Sequence, residues 1–277
     1  MIRSSLTRYR GVLVVVLILY VLLGAGISFC GWAFDNERLT DWFGHGVSIQ
    51  PNACVQLMLA AAGTLAFTWG RHRVVMVLGA LVCLSGGLTL AQYIIGVDLG
   101  FNHQLLFGRT WGHASTVTPG RVGPPASSSF ILLGAALAML AAATRDERTA
   151  RRLRCWVPIV GVLVCGIVVF SLLGYLFGSK PFYNIPGLSA IALQTSTMLL
   201  ALAAVLILLV PEEQPMLLLL DASGTGAMAR LLLPVALLLP PLIVLARTVG
   251  YDAGWYDLGT SQTLGALATM IVMAGLT

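Results

Sequence analysis

The side chains of this chain that could do chemistry are few, and most of them are amides. Gln56, Gln92 and Gln194 stand in otherwise apolar stretches, where an amide must find a hydrogen-bonding partner because hydrocarbon supplies none. Two roles meet that need: a hydrogen bond between helices, or the lining of a pocket for an amphipathic ligand. Asn52 and Pro124 stand at the start of two such stretches, and Asp98 lies just beyond the end of another. Asn52, Gln56, Gln92, Asp98, Pro124 and Gln194 are therefore the candidate ligand-binding residues. Helix starts offer unpaired N–H groups and the positive end of the dipole. A small amphipathic or anionic molecule could be held there without a charged side chain.

Other chemistries find little support. The 96–125 segment holds Asp98, His103, Arg109, His113 and Arg121, and His45 stands in an earlier loop. No H-x-x-x-H or paired-Cys spacing links them, so metal binding is not indicated and they read as solvated loop residues. No G-x-S-x-G, Walker loop, dinucleotide fingerprint or catalytic dyad is present, which predicts a non-enzymatic chain without cofactor. Ser223-Gly-Thr-Gly226 lacks the following Lys of a phosphate loop and reads as linker. Of the five cysteines, Cys30 and Cys54 could pair in an oxidising compartment, although small apolar packing residues are the simpler role.

The elements that must position these groups are membrane helices. The chain has 277 residues, 58% of them hydrophobic and 10% charged, with mean hydropathy +0.90. Apolar runs of about 20 residues are what a slab of roughly 30 Å demands, and they fall near 11–31, 53–69, 74–95, 127–143, 155–177, 190–210, 231–249 and 258–277. Four times an apolar run ends in a Gly-containing turn close to a polar residue, crosses a polar loop and re-enters an apolar run. The outgoing ends are Cys30-Gly-Trp-Ala-Phe-Asp35, Ile95-Gly-Val-Asp98, Phe177-Gly-Ser-Lys180 and Val249-Gly-Tyr-Asp252. Three returning runs open alike: Ile49-Gln-Pro-Asn-Ala-Cys54, Val122-Gly-Pro-Pro-Ala-Ser127 and Ile191-Ala-Leu-Gln-Thr-Ser196. Recurrence of a unit that cannot bury its own apolar face implies stacked copies. The expected fold is an all-α polytopic membrane protein of about eight transmembrane helices, built from four repeated helical hairpins at 11–69, 74–143, 155–210 and 231–277. These form a single domain, 1–277.

Within the spans, Gly79, Gly86, Gly87, Gly134, Ala138, Gly161 and Cys165 are small enough for close helix packing. Pro51 and Pro124 suit helix starts, with Ser127, Ser128, Ser129, Thr195 and Ser196 available to cap or back-bond them. Pro234, Pro240 and Pro241 interrupt the seventh run and predict a kink there. Only Arg247 places a charge inside a span, near enough to its end to snorkel, which argues against a pump or proton-coupled carrier. Residues 145–154 read as a solvated basic connector, and 216–220 as an apolar run too short to span.

Orientation follows from the basic residues, which are retained on the cytoplasmic side. Of the 16, Arg3, Arg8, Arg10, Arg71, Arg73, Arg145, Arg148, Arg151, Arg152, Arg154 and Arg230 fall on one side. Arg38, Arg109, Arg121, Lys180 and Arg247 fall on the other. Both termini are therefore expected in the cytoplasm, with the first run retained as a helix rather than cleaved. The pI of about 9.2 points to anionic lipid headgroups as partner, and nucleic acid is not implied.

Several stretches resemble the eight-span, N-terminal membrane sensor region of bacterial sensor histidine kinases and diguanylate cyclases. In that family the returning helices open with Met-x-Pro-Asn-Thr-Ala-Leu, and a third copy reads Met-Ala-Leu-His-Thr-Ala-Leu. The similar residues are 49–55, 122–128 and 191–197. Asn is kept at Asn52, its second-copy equivalent is Pro125, and the third-copy His is Gln194. The run from Gly96 to Phe107 and the run from Gly250 to Asp257 are also similar to family loops. The resemblance implies a location in the bacterial inner membrane and an input role in two-component or cyclic-dinucleotide signalling. It further implies a cytoplasmic effector after the eighth span, through which such sensors form homodimers; none is encoded within these residues.

The expected function is a non-enzymatic membrane sensory module, detecting a ligand or membrane state from the outer side and signalling inward through the seventh and eighth spans. The alternatives are a structural or accessory subunit of a membrane complex, and a transporter or channel for a neutral or lipidic substrate.

Overall fold

The computed structural model describes residues 2–44, 46–112, 116–143, 147–178 and 188–276, with backbone alone at 2–8, 147 and 271–276. His45, His113, Arg145, Lys180 and Thr277 lie outside those residues. Every regular element among the described residues is helical: α1 (Ile2–Ala33), α2 (Pro51–Thr68), α3 (His72–Ile95), α4 (Pro124–Ala142), α5 (Glu147–Leu176), α6 (Leu193–Leu209), the short α7 (Met216–Leu219), α8 (Gly224–Asp252) and α9 (Leu258–Leu276). Five helical segments among the described residues are long and apolar enough to cross a membrane: Tyr9–Ala33, His72–Ile95, Pro124–Ala142, Arg148–Leu176 and Gly224–Asp252. The apolar α6 is shorter, at 17 residues.

The helices stand where the apolar runs place them, but α1 and α5 extend into their basic flanks. Residues 148–154 of the basic connector are therefore helical; Arg is a good helix former and nothing in the stretch breaks the helix. Arg154 from this extension pairs with Glu212 at 2.8 Å. Ser223, read as linker, is instead the residue before α8, with its hydroxyl donating to Asp221 at 2.5 Å.

Contacts among α1–α6 close on themselves. Consecutive helices pair as α1·α2, α3·α4 and α5·α6, and the pairs join through α2·α3, α4·α5 and α6·α1. The returning helices α2, α4 and α6 also touch one another. They thus form a central triad, with α1, α3 and α5 around it. Burial follows this layout: Leu57, Phe130, Leu133, Leu137, Met198, Leu199 and Leu202 of the triad are fully buried. Small residues permit the closest approach, since a Cβ on Gly134 would stand 2.5 Å from the Gly79 carbonyl oxygen and 2.4 Å from the Cys83 nitrogen. Gly86 and Gly161 likewise face neighbouring helices. Gly87 does not: nothing lies within 4 Å of its Cβ position, so it is no packing contact.

The α8–α9 pair is built differently. α8 carries Pro234, Pro240 and Pro241 inside one continuous helix, and only Gly226 and Gly250 of it are buried. Each proline lacks an N–H and leaves the carbonyl four residues earlier without its helical donor. α9 opens in an ordinary way, with the Thr260 amide donating to the Asp257 carboxylate at 2.7 Å.

Candidate functional site: a roof over three helix starts

The triad helices begin with one local geometry. The residues before α2, α4 and α6 are Gln50, Gly123 and Ala192, with φ/ψ of −74/145, −64/156 and −69/147. None has a side-chain cap. Ahead of each lies a buried branched apolar residue, Ile49, Val122 or Ile191, and the fourth helical residue, Cys54, Ser127 or Ser196, is fully buried. At α4 the two are joined directly, the Ser127 hydroxyl donating to the Val122 carbonyl at 3.2 Å. Proline opens α2 and α4, as its fixed φ and missing N–H allow. The serines bond backward rather than forward: Ser129 donates to the Pro125 carbonyl at 2.8 Å and Ser196 to the Ala192 carbonyl at 3.3 Å.

Each start also grips the chain leading into the next triad helix. Asn52, in the first turn of α2, donates to the carbonyls of Asn102 (3.1 Å) and Gly120 (2.9 Å), in the segment preceding α4. At α4 the corresponding contact is backbone to backbone, since a Cβ on Gly123 would lie 2.2 Å from the Ser189 carbonyl oxygen, in the approach to α6. At α6, Gln194 donates to the Thr40 carbonyl, in the approach to α2. The same Thr40 carbonyl accepts the Ile49 amide at 2.9 Å. The grips therefore run in a cycle around the triad.

Gln50 completes the first grip, accepting the Gly120 amide at 3.0 Å and donating to the Gly112 carbonyl at 3.1 Å. Only glycine fits at position 120, where φ is +78° and a Cβ would meet the Asn102 carbonyl oxygen. Gln92, at the end of α3, gathers donors onto its carbonyl oxygen: the Leu99 amide at 3.2 Å, Asn102 at 2.6 Å and Arg121 at 3.2 Å. Asp98 accepts from the Gly100 amide at 3.0 Å and from Asn102 at 2.7 Å, with Arg121 at 3.6 Å and His103 at 3.3 Å. The Gly100 hydrogen bond, followed by Asn102, the Arg121 charge and His103, holds the Asp98 carboxyl below the usual carboxylate range.

Two arginines read as solvated loop residues are built in. Arg121 is buried, with its guanidinium 5.3 Å from the Tyr93 ring centre, a cation–π separation. Arg109 pairs with Asp35 at 3.2 Å and donates to the Trp32 and Ala33 carbonyls at 3.1 and 2.9 Å. It thereby supplies positive charge and donors where α1 ends, the position that favours a cation. Trp32 is fully buried, donates to the Ile49 carbonyl at 2.8 Å and stacks on Trp111 at 4.5 Å. Cys30 is exposed, Cys54 is buried, and both are free thiols.

Of the six residues singled out by sequence, Asn52, Gln92 and Asp98 are joined through Asn102 and Arg121. Gln194 serves the separate grip on Thr40, and Pro124 acts as the first residue of α4. Gln56 lies one turn below Asn52 on the same face of α2 and is buried. Among the buried atoms of this region that lack a hydrogen-bond partner among the described residues are Gln56 Oε1, Gln194 Oε1 and Arg121 Nε, along with the hydroxyls of Tyr93 and Ser189. Of the first three, two are acceptors and one is a donor. The sequence reading missed Gln50, Asn102 and Arg121 as members of this network. Gln50 is two residues from Asn52, and Asn102 sits in the loop run 96–107, so adjacency was the available signal.

No protein-family model, curated protein or solved structure matches this chain.

Proposed function

We propose that this chain is a membrane input module, non-enzymatic, which receives a small polar or amphipathic ligand beneath the roof and signals through α8 and α9. In this reading its eight long helices span a bacterial inner membrane as four hairpins with both termini in the cytoplasm. The roof then faces outward, and a cytoplasmic effector reads the end of α9. The observation that carries the proposal is the set of buried, unpartnered polar atoms in this region, Gln56 Oε1, Gln194 Oε1 and Arg121 Nε among them. An unpaired buried polar atom costs about 1–3 kcal/mol. A ligand offering both a donor and an acceptor, such as a polyol, an amide or a headgroup, would satisfy them.

Two measurements test this. The intact mass of the gene product in its own host reads above the 29.4 kDa of these residues if an effector follows. In that intact protein, Asn52→Leu combined with Gln194→Leu abolishes signal-dependent output while the protein still folds; unchanged output removes the site. An accessory-subunit reading is favoured by the apolar face of α8, where Leu231, Leu237, Leu238 and Leu242 are exposed. It predicts stable copurification with partner proteins, and a gene product near 29.4 kDa.

A further inference from the structure

Away from the roof, α8 and α9 flank an open cleft of about 490 Å³ whose lining includes Ile243, Val244, Arg247, Gln262, Thr269 and Met270. Arg247 is the one charge in the apolar part of α8, and arginine does not shed its proton in proteins. Among the described residues it has no ion pair, and its Nε is buried without a hydrogen-bond partner. The guanidinium lies across Gly265, where any Cβ would collide with it. Thus α9 is relieved of a side chain where α8 presents its charge. The Tyr256 hydroxyl donates to the Arg247 carbonyl at 2.9 Å and fixes the turn between the helices. Gln262, one turn from Gly265, is exposed and lines the same cleft.

A partly buried charge with an unpartnered Nε is unfavourable, and a counter-ion at the cleft would relieve it. The remaining walls are mostly aliphatic, running from the guanidinium along Ile243, Val244, Ala266 and Met270; Thr269 also lines them, with its hydroxyl donating to the Gly265 carbonyl at 2.8 Å. We infer that the α8–α9 cleft binds an aliphatic oxyanion, with its phosphate or carboxylate on Arg247 and Gln262 and its hydrocarbon chain along these walls. Phosphate and carboxylate both match the two-pronged guanidinium. The site is independent of the roof.

The test is native mass spectrometry of the purified full chain in detergent, titrated with phosphatidylglycerol, palmitate or zwitterionic phosphatidylcholine. At least one anionic probe is retained above phosphatidylcholine, and Arg247→Gln weakens it roughly tenfold, the scale of a lost charge-assisted contact. Gly265→Ala, which displaces the guanidinium without removing it, weakens the same probe, and Arg247→Lys falls between. Retention of phosphatidylglycerol alone assigns a phospholipid phosphate, and of palmitate alone a fatty-acid carboxylate. Equal retention of all three probes, or undiminished binding by a folded Arg247→Gln chain, overturns the inference.

Discussion

In α2, ten of 18 residues are buried, whereas in the 29-residue α8 only two glycines are. Both helices are strongly apolar and both contain proline. Proline stands at the start of α2, where the missing N–H removes no helical bond, and in the interior of α8, where it removes three. α2 is surrounded by helices and gripped at its start by hydrogen bonds to a loop. α8 packs on α7 and α9 and carries a charge, Arg247, with no ion pair among the described residues. Apolar character alone thus separates membrane helices from soluble ones but does not tell a helix locked into a bundle from one laid against lipid. The placement of proline and of amides makes that distinction. Segments with few buried contacts open most readily, so α8 and α9 are suited to move while the triad serves as the frame.

The largest effect expected is at the roof. Gly120→Ala forces a Cβ into the Asn102 carbonyl in a left-handed conformation, and destabilises the bundle by about 3 kcal/mol or more. Gly259→Ala in α9, with nothing but the Asp257 carboxylate near 3.8 Å, changes stability by less than about 0.5 kcal/mol. Thermal unfolding in detergent compares the two, and equal effects would erase the contrast between the regions. Next, Asn52→Leu leaves the Asn102 and Gly120 carbonyls without their donor and lowers stability by about 1–3 kcal/mol. Gln262→Leu in α9 leaves the unfolding midpoint unchanged. A smaller effect comes from pH. The lowered Asp98 pKa means its contribution is complete above the ordinary carboxylate value of 3.8 and fades only as pH falls through the lowered value. Between pH 5 and 8 residues 98–103 therefore keep their protease resistance through this carboxylate, and Asp98→Asn abolishes the loss that follows further acidification.

The helix positions were legible because apolar runs separated by polar loops are a strong signal, and the three similar openings pointed to the shared start geometry. Asn52, Gln92 and Asp98 were legible as polar groups beside apolar runs. Their joining through Asn102 was not, since that contact depends on how residues 98–112 and 116–121 fold back over α2 and α3. Arg109 and Arg121 were misread for a related reason: a basic residue in a loop looks solvated until the loop is seen to fold over a helix end. The peripheral place of α8 and α9 was also hidden, although Pro240-Pro241 and the ordinary Asp257 start of α9 mark that pair as unlike the others.

The central claim is that the three helix starts form one cycle, so that loosening two grips loosens the third. Hydrogen exchange on the chain in lipid nanodiscs, with and without Asn52→Leu and Gln194→Leu together, measures this directly. The cycle predicts slow exchange at the first turns of α2, α4 and α6, fast exchange along α8, and faster exchange in the double variant at all three starts. That includes Ser127–Phe130 of α4, where nothing was changed. Faster exchange confined to the first turns of α2 and α6 would contradict the cycle and leave three independent loop attachments in its place.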